Sequence, residues 1–173
     1  MAETEMRPTG DRAAITARYL DGPALLERAV AGLGDVDLDA APAAGGWTIR
    51  QIAHHVADGD DLWKTAVKMA CGDDRLEFAL GWYWAQPQDA WAGHWAYARR
   101  PIAESLALLR AARAHVRQLL EQAPAVWDRT VLIRKPDGDT VLLSVGAIVE
   151  MQADHVEHHV ERIAAIRAER GRA

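Results

Sequence analysis

The stretch that decides the fold is WTIRQIAHHVADGDDLWKTAVKMACG, residues 47–72. Thr48 and Gln51 form a capping-box pattern, so the sequence predicts a helix from about residue 48 to about residue 70. Gly72 lies just beyond the expected C-terminus. The helix carries an apolar stripe that indicates packing against other helices. The stripe comprises Ile49, Ile52, Val56, Trp63, Val67 and Met69 or Ala70.

Three further helices are predicted on either side of this stretch. Residues 11–34 show helical spacing of apolar side chains, but Pro23 is expected to split or kink that helix, and a loop should follow it. Residues 101–122 are strongly periodic, with Pro101 suited to the first helical position. Ser144 is placed to N-cap a last helix over residues 145–170.

Between the last two helices, the segment KPDGD at residues 135–139 separates two short runs rich in β-branched residues and Leu. An Asp-Gly pair in this setting favours a β-hairpin. Short and medium connections between amphipathic helices are typical of antiparallel bundles. The sequence therefore predicts an all-α protein, an antiparallel four-helix bundle with a small β-hairpin before the last helix.

The length of 173 residues suits one domain over residues 1–173, with its core at about residues 12–168 and a flexible segment at residues 1–10. The net charge of −5 argues against nucleic acid as a partner. No secretory signal or membrane-spanning apolar run is apparent, so we expect no membrane partner and a cytoplasmic location. A single cysteine, Cys71, excludes an intramolecular disulfide and fits a reducing compartment.

The last helix contains DHVEHHVERI, residues 154–163, with three histidines in five positions. A helix turns about 100° per residue, which places His159 about 60° and His155 about 100° from the centre of the apolar stripe. His158 lies about 160° away, on the outer face. His155 and His159 are separated by one turn and point to the same side, so this pair is the candidate for metal binding.

The helix at residues 48–70 repeats the choice between neighbouring histidines. His55 lies about 90° from its apolar stripe, at the edge of the buried face, whereas His54 lies nearly opposite and is expected to face solvent. Three neutral imidazoles from two helices are suitable ligands for Zn²⁺ or another divalent ion. Three ligands would leave one position open, as in catalytic sites. The alternative is that each histidine is an ordinary residue at the edge of the core.

Five of the seven tryptophans lie between residues 63 and 95. Such a cluster indicates an aromatic pocket or a large interface, with plain core packing as the alternative. We expect part of residues 72–100 to line or cover a cleft at the metal. Its candidate residues are Trp82, Trp84, Trp91, Trp95 and His94, and Asp58 is the candidate to orient a ligand imidazole.

The stretch GGWTIRQIAHHVAD resembles the signature of the DinB-like, YfiT-type superfamily, W-[ST]-x-x-Q-I-x-x-H. HVEHH, read as His-x₃-His, and the KPDGDT hairpin also resemble that family's pattern, and the likeness covers roughly residues 12–168. The resemblance implies a four-helix bundle of up-down-down-up or similar order. It implies one divalent ion held by His55, His155 and His159. Family members are often dimeric, so a homodimer is among the expected states.

Known members of this superfamily include bacillithiol and mycothiol S-transferases and proteins labelled metal-dependent hydrolases. The leading hypothesis is therefore a metal-dependent enzyme that activates a low-molecular-weight thiol for transfer to a small-molecule substrate. The alternatives are a hydrolase that uses metal-bound water, and a non-enzymatic, metal-stabilised binding or stress-response module. Zn²⁺ is the first choice of ion and Ni²⁺ the second, because three imidazoles accept both.

Overall fold

The computed structural model describes residues 4–171. Residues 1–3 of the segment expected to be flexible, and residues 172 and 173 of the expected domain, lie outside the described residues. Four long helices form the body of the protein. In chain order the elements are β1 (Thr4–Met6), α1 (Arg12–Val30), α2 (Asp35–Leu38), α3 (Ile49–Gly72), β2 (Leu76–Phe78), α4 (Gly81–Trp84), α5 (Gln88–His94), α6 (Ala103–Gln122), a 3-10 helix (Pro124–Asp128), β3 (Thr130–Arg134), β4 (Thr140–Ser144) and α7 (Val145–Glu169).

The predicted helix starts at residues 48 and 144 are confirmed by their caps. The Thr48 hydroxyl accepts a hydrogen bond from the Gln51 backbone N–H, and the Gln51 side chain accepts one from the Thr48 N–H. At α7, the Ser144 hydroxyl accepts from the backbone N–H of Ala147 at 3.1 Å. Each cap satisfies donors that the first helical turn leaves without a partner, which fixes where the helix begins.

Of the two outcomes expected at Pro23, a split or a kinked helix, the split is wrong, because α1 runs through Pro23. Proline lacks the N–H that would bond to the carbonyl four residues earlier, which is that of Tyr19. That carbonyl instead accepts a hydrogen bond from the Arg113 guanidinium of α6. Gly22 leaves the space for this approach, since a Cβ there would lie 2.0 Å from Nη1 of Arg113. A side chain from another helix thus replaces the lost backbone donor.

The four long helices run in up-down-down-up order. Contacts with residue numbers that rise together show that α1 is parallel to α7 and α3 to α6. Contacts with opposed numbering show that α1 is antiparallel to α6 and α3 to α7. The parallel pairs are shown by Arg18–Glu157 and Ala29–Arg167 for α1 and α7, and by His54–Ser105 and Asp60–Arg113 for α3 and α6. The antiparallel pairs are shown by Arg12–Pro124, just after α6, and Glu27–Arg110 for α1 and α6, and by His55–His159 and Gly59–His155 for α3 and α7.

The expectation of an all-α protein is corrected by a four-stranded sheet within the described residues, in the order β1-β4-β3-β2. The predicted hairpin is its centre, since β3 and β4 pair antiparallel. The strands β1 and β2 add to its edges in parallel. Each of these edge strands has only three residues, too few for a recognisable alternation of polar and apolar side chains.

Within the segment expected to be flexible, residues 4–10 make defined contacts. Thr4–Met6 pairs with β4, and the Glu150 carboxylate of α7 accepts hydrogen bonds from the backbone N–H groups of Thr9 and Gly10 at 2.8 and 3.0 Å. The N-terminal segment is therefore held against the start of α7. Among the described helices, none combines the length and apolar character needed to cross a membrane.

Candidate metal centre

Three histidines from α3 and α7 converge at the contact between these antiparallel helices. Nε2 of His155 lies 3.0 Å from Nε2 of His55 and 3.1 Å from Nε2 of His159. One ring nitrogen from each of the three lies within 4.8 Å of the others. The three residues that the helical wheel and the resemblance selected are thus brought together by the fold.

The three imidazoles are held neutral at pH 7. Burial is the main cause, and it lowers the pKa of His55 to about 3, of His155 to about 4 and of His159 to about 2. Neighbouring positive charge lowers these pKa values further, from the other rings for His55 and His159 and from Arg113 for His155. A neutral imidazole offers a lone pair, which is the form that binds a metal ion.

Hydrogen bonding within the triad does not account for this arrangement. Nε2 of His155 faces two other Nε2 atoms, and it can share one proton with only one of them. Nδ1 of His155 and Nδ1 of His159 are also buried without a hydrogen-bond partner. Buried polar groups normally find partners, and a cation at the centre would be the partner of the three converging Nε2 atoms.

An outer cavity of about 540 Å³ opens from the triad towards solvent. Trp47 lies at its wall, with its ring edge-on to His55 at 4.7 Å between centroids. The Trp47 indole N–H donates to the carboxylate of Asp89, which also lines this cavity. Arg162, one turn beyond His159 on α7, and the exposed His158 also line this cavity. The outer cavity therefore presents both signs of charge beside the histidines.

An inner cavity of about 240 Å³ adjoins the triad at His55 and His155. Its walls are mainly aromatic and aliphatic, and His55, His155 and Gln88 line both cavities. The ring of His155 packs over Gly59 of α3, where a Cβ would lie 3.4 Å from Cε1 of His155, an ordinary van der Waals contact. The triad consequently lies at the junction of a charged and an apolar space.

The expectation that His54 faces solvent is wrong, because its side chain is fully buried. Its Nδ1 lies 2.7 Å from the Ser105 hydroxyl and its Nε2 lies 3.0 Å from the Arg100 carbonyl. The helical-wheel prediction assumed that α3 has one buried face. In the structure α3 packs against α7 on one side and against α6 on another, so His54 is buried on the second side. His54 is a core residue whose ring is hydrogen-bonded to Ser105 and Arg100.

Asp58, the candidate to orient a ligand, lies on another side of α3. It faces Arg100, with 3.9 Å between Oδ2 and Nη1, and it raises the pKa of the Tyr97 hydroxyl by a hydrogen bond, in addition to the effect of burial. Asp58 lines a third cavity of about 320 Å³ with Trp82 and Trp95. The structure does not bring Asp58 to the imidazoles of the triad.

Of the other predicted pocket residues, Trp84 lines the inner cavity together with His55 and His155. Trp91 packs parallel to Tyr83 and donates its indole N–H to the Tyr83 carbonyl at 2.7 Å. His94 is exposed, with Nε2 3.1 Å from the Gln86 side-chain oxygen. The tryptophan cluster therefore forms a packed aromatic cap whose edge at Trp84 reaches the inner cavity.

Several residues that line the two cavities were not singled out from the sequence. Arg162 lies three residues after His159, so helical spacing could have indicated it. Trp47 directly precedes the N-cap of α3, and its place in the quoted motif was its only signal. Gln88 and Asp89 lie on the short helix α5 and carried no sequence signal. Their placement depends on how residues 72–100 fold back over α3.

Comparisons with known proteins agree on one family. The model of the DinB superfamily matches residues 18–163. A protein of Geobacillus kaustophilus named "Putative metal-dependent hydrolase" is 31% identical over 86% of this chain and 80% of its own length. One of the same name from Oceanobacillus iheyensis is 30% identical over 84% of this chain and 80% of its own length.

Among solved structures, YfiT from Bacillus subtilis is similar in fold, with a TM-score of 0.81 and 21% identity over 100% of this chain and 97% of that one. It is described as "a probable metal-dependent hydrolase with an unusual four-helix bundle topology". The family model covers well over half of the chain, with His55, His155 and His159 inside the matched range. The chain belongs to the DinB superfamily.

Proposed function

We propose that this protein is a metal-dependent hydrolase whose divalent ion, Zn²⁺ first and Ni²⁺ second, is held by His55, His155 and His159. The observation that carries the proposal is the convergence of three neutral imidazoles, two of them buried and that of His155 half-buried, beside a cavity open to solvent. The names of the related proteins support a hydrolytic reaction. When bound, such an ion lowers the pKa of a coordinated water to about 7 and polarises a carbonyl oxygen.

The chain's own residues supply the surroundings for this chemistry. Burial of the triad keeps the imidazoles unprotonated, and Trp47 covers one side of the His55 ring. Asp89 is the carboxylate that lines the outer cavity, so it is the candidate to accept a proton from the attacking nucleophile. The Trp47 indole N–H holds that carboxylate in place. Arg162 offers a positive charge for an anionic group of the substrate.

Thiol transfer is the second candidate. The observation that favours it is the pair of opposite charges in the outer cavity, Asp89 and Arg162, which suits a thiol that carries both amino and carboxylate groups. A thiol at the ion would be held as the thiolate, which is the nucleophilic form. The two reactions use the same triad and differ in the molecule that occupies the open position.

Metal content tests the triad directly. Protein purified without a histidine tag should contain about one divalent ion per chain, and His55→Ala or His155→Ala should lose it. His158→Ala is the matched control, since His158 lies in the same turn of α7 but is exposed. A stoichiometric ion that persists in both triad variants would contradict the assignment.

Activity separates the reactions. A panel of p-nitrophenyl esters should be hydrolysed by the zinc-loaded protein and not by His55→Ala. Monochlorobimane with cysteine, glutathione or another cellular thiol tests transfer in the same samples. Metal-dependent conjugation without ester hydrolysis would favour thiol transfer. A bound ion with neither activity would favour a metal-stabilised binding module.

A further inference from the structure

The two cavities that adjoin the triad differ in the chemistry of their linings. The outer cavity carries the charged side chains of Asp89 and Arg162, whereas no Asp, Glu, Lys or Arg of residues 4–171 lines the inner one. His55, His155 and Gln88 line both cavities. Groups that occupy the two cavities therefore contact the same two imidazoles, and one small molecule can supply both groups.

Arg162 is a cation of the outer cavity that the fold leaves without a counter-ion. Its side chain is half-buried, and its guanidinium makes no ion pair or hydrogen bond within residues 4–171. In addition to burial and the neighbouring rings, its charge lowers the pKa of His55 and of His159. A guanidinium binds a carboxylate through two parallel hydrogen bonds, so an unpaired one beside the triad favours a ligand that carries a carboxylate.

The negative charge of Asp89 does not cancel this preference. Its carboxylate accepts the Trp47 indole N–H and is not paired with Arg162. A divalent ion on three neutral imidazoles adds further positive charge, so the outer cavity then holds more positive than negative charge. Such a balance favours an anionic ligand over a cationic one.

The inner cavity suits a neutral, apolar group. A volume of about 240 Å³ accommodates a ring, since a cavity of about 150 Å³ lined by apolar side chains binds benzene. Burial of the ring among apolar side chains removes its surface from water, which favours binding. The apolar walls come from α3, α7 and the segment around α4, and they include Leu62, Trp63, Leu80, Tyr83, Trp84 and Met151.

We propose that the substrate is a small carboxylate of the N-acyl amino acid class, with a ring-sized apolar acyl group in the inner cavity and its carboxylate bound by Arg162 in the outer one. This assignment rests on the proposed hydrolytic function of the triad. The amide between the two ends then lies beside His55 and His155, which line both cavities. Its hydrolysis breaks the C–N bond, and the hydroxyl of water goes to the acyl carbon while a proton goes to the amino group.

A ligand without a hydrolysable bond tests both ends in the absence of reaction. γ-Phenylbutyrate has the ring and the carboxylate of benzoylglycine, with methylene groups in place of the amide, and the corresponding alcohol lacks the charge. Calorimetry gives their dissociation constants on zinc-loaded wild type and on Arg162→Met. The alcohol-to-acid ratio of dissociation constants should be roughly five- to twentyfold larger in wild type, as expected for one half-buried ion pair.

Arg117→Met is the matched control for the change in charge. It removes a guanidinium from an exposed position of α6, so it should keep the wild-type ratio. Thermal unfolding of each variant establishes that it is folded. The comparison of the acid with the alcohol on wild type needs no variant, and the acid should bind more tightly.

The position of the ring is read from protein labelled with ¹³C at the methionine methyl groups. Met151 lines the inner cavity, and its resonance, assigned through Met151→Leu, should shift with γ-phenylbutyrate. The resonance of the exposed Met6 should not shift. Butyrate, which has the carboxylate without the ring, should leave the Met151 resonance in place.

Three outcomes would overturn the proposal: an unmoved Met151 resonance at saturating γ-phenylbutyrate, a wild-type ratio in folded Arg162→Met, or tighter binding of the alcohol than of the acid to wild type. Metal analysis of the same wild-type sample keeps the two proposals separate. A wild type that binds the acid at Met151 and Arg162 but no metal would contradict the proposed function and leave the two binding sites established. A zinc-loaded wild type that hydrolyses esters but binds the acid at neither place would contradict the substrate class alone.

Discussion

Arg113 and Asp60 form a two-point ion pair at the centre of the bundle, with 2.9 Å from Nε to Oδ1 and 2.8 Å from Nη2 to Oδ2. Their side chains are 1% and 0% exposed. The same guanidinium donates to the backbone carbonyls of Tyr19 and Gln152. One side chain of α6 thus donates hydrogen bonds to groups on α1, α3 and α7. These bonds give the buried charged and polar groups of this cluster their partners.

We predict that Arg113→Met lowers the free energy of unfolding by about 3–5 kcal/mol, because it leaves a buried carboxylate without its counter-charge. Urea denaturation at pH 7 measures the change. Arg117→Met is the control, since its ion pair with Glu121 is exposed and should contribute less than about 1 kcal/mol. Equal losses in the two variants would contradict a central role for the buried pair.

Gly22→Ala tests the close approach of Arg113 to α1. Alanine normally stabilises a helix relative to glycine, by roughly 0.5–1 kcal/mol. Here the added Cβ would lie 2.0 Å from Nη1 of Arg113, so we predict a net loss of about 1–3 kcal/mol. Gly93→Ala is the matched control, because nothing lies within 4 Å of a Cβ at that helical position. A Gly22→Ala protein as stable as the control would show that the guanidinium has room to move.

The sequence predicted those parts of the fold that depend on local patterns. The caps at Thr48 and Ser144, the hairpin and the His55–His155–His159 set all follow from spacing along one element or from a motif. The edge strands β1 and β2 did not follow, because their pairing is set by long-range contacts with β4 and β3. Short strands carry too few residues for a period of two to be recognised.

The two wrong expectations at Pro23 and His54 have a common physical cause. Each residue was judged from its own helix, but the deciding partner lies elsewhere in the chain. Arg113 replaces the donor that Pro23 lacks, and Ser105 with the Arg100 carbonyl satisfies His54. The inner cavity was also beyond prediction, because its walls come from α3, α7 and the segment around α4.

Zinc should raise the thermal stability of the protein through the triad. A ligand that binds only the folded state at 100 times its Kd adds about 2.7 kcal/mol, which corresponds to roughly 5–10 °C in Tm for a chain of this size. We predict an increase of this order on adding Zn²⁺ to chelator-treated protein, measured by calorimetry. His55→Ala should show no increase and His158→Ala should show the full one. An equal response in both variants would place the ion elsewhere.

The metal-free protein should lose stability as pH falls from 7 to 5. The three triad imidazoles have pKa values of about 2 to 4 in the folded state and about 6.5 in the unfolded chain. Above about pH 6.5 both states hold them neutral, and below it the unfolded chain takes up protons that the folded state cannot. Unfolding is therefore favoured by about 2 kcal/mol per imidazole at pH 5.

Urea denaturation of chelator-treated protein at pH 7, 6 and 5 measures this dependence. His159→Leu replaces one of the three groups with an apolar side chain, so its free energy of unfolding should fall less steeply over that range. His158→Gln is the control at an exposed position outside the triad, and it should keep the wild-type slope. If the slopes of the two variants coincide, the pH dependence arises from groups other than the buried triad.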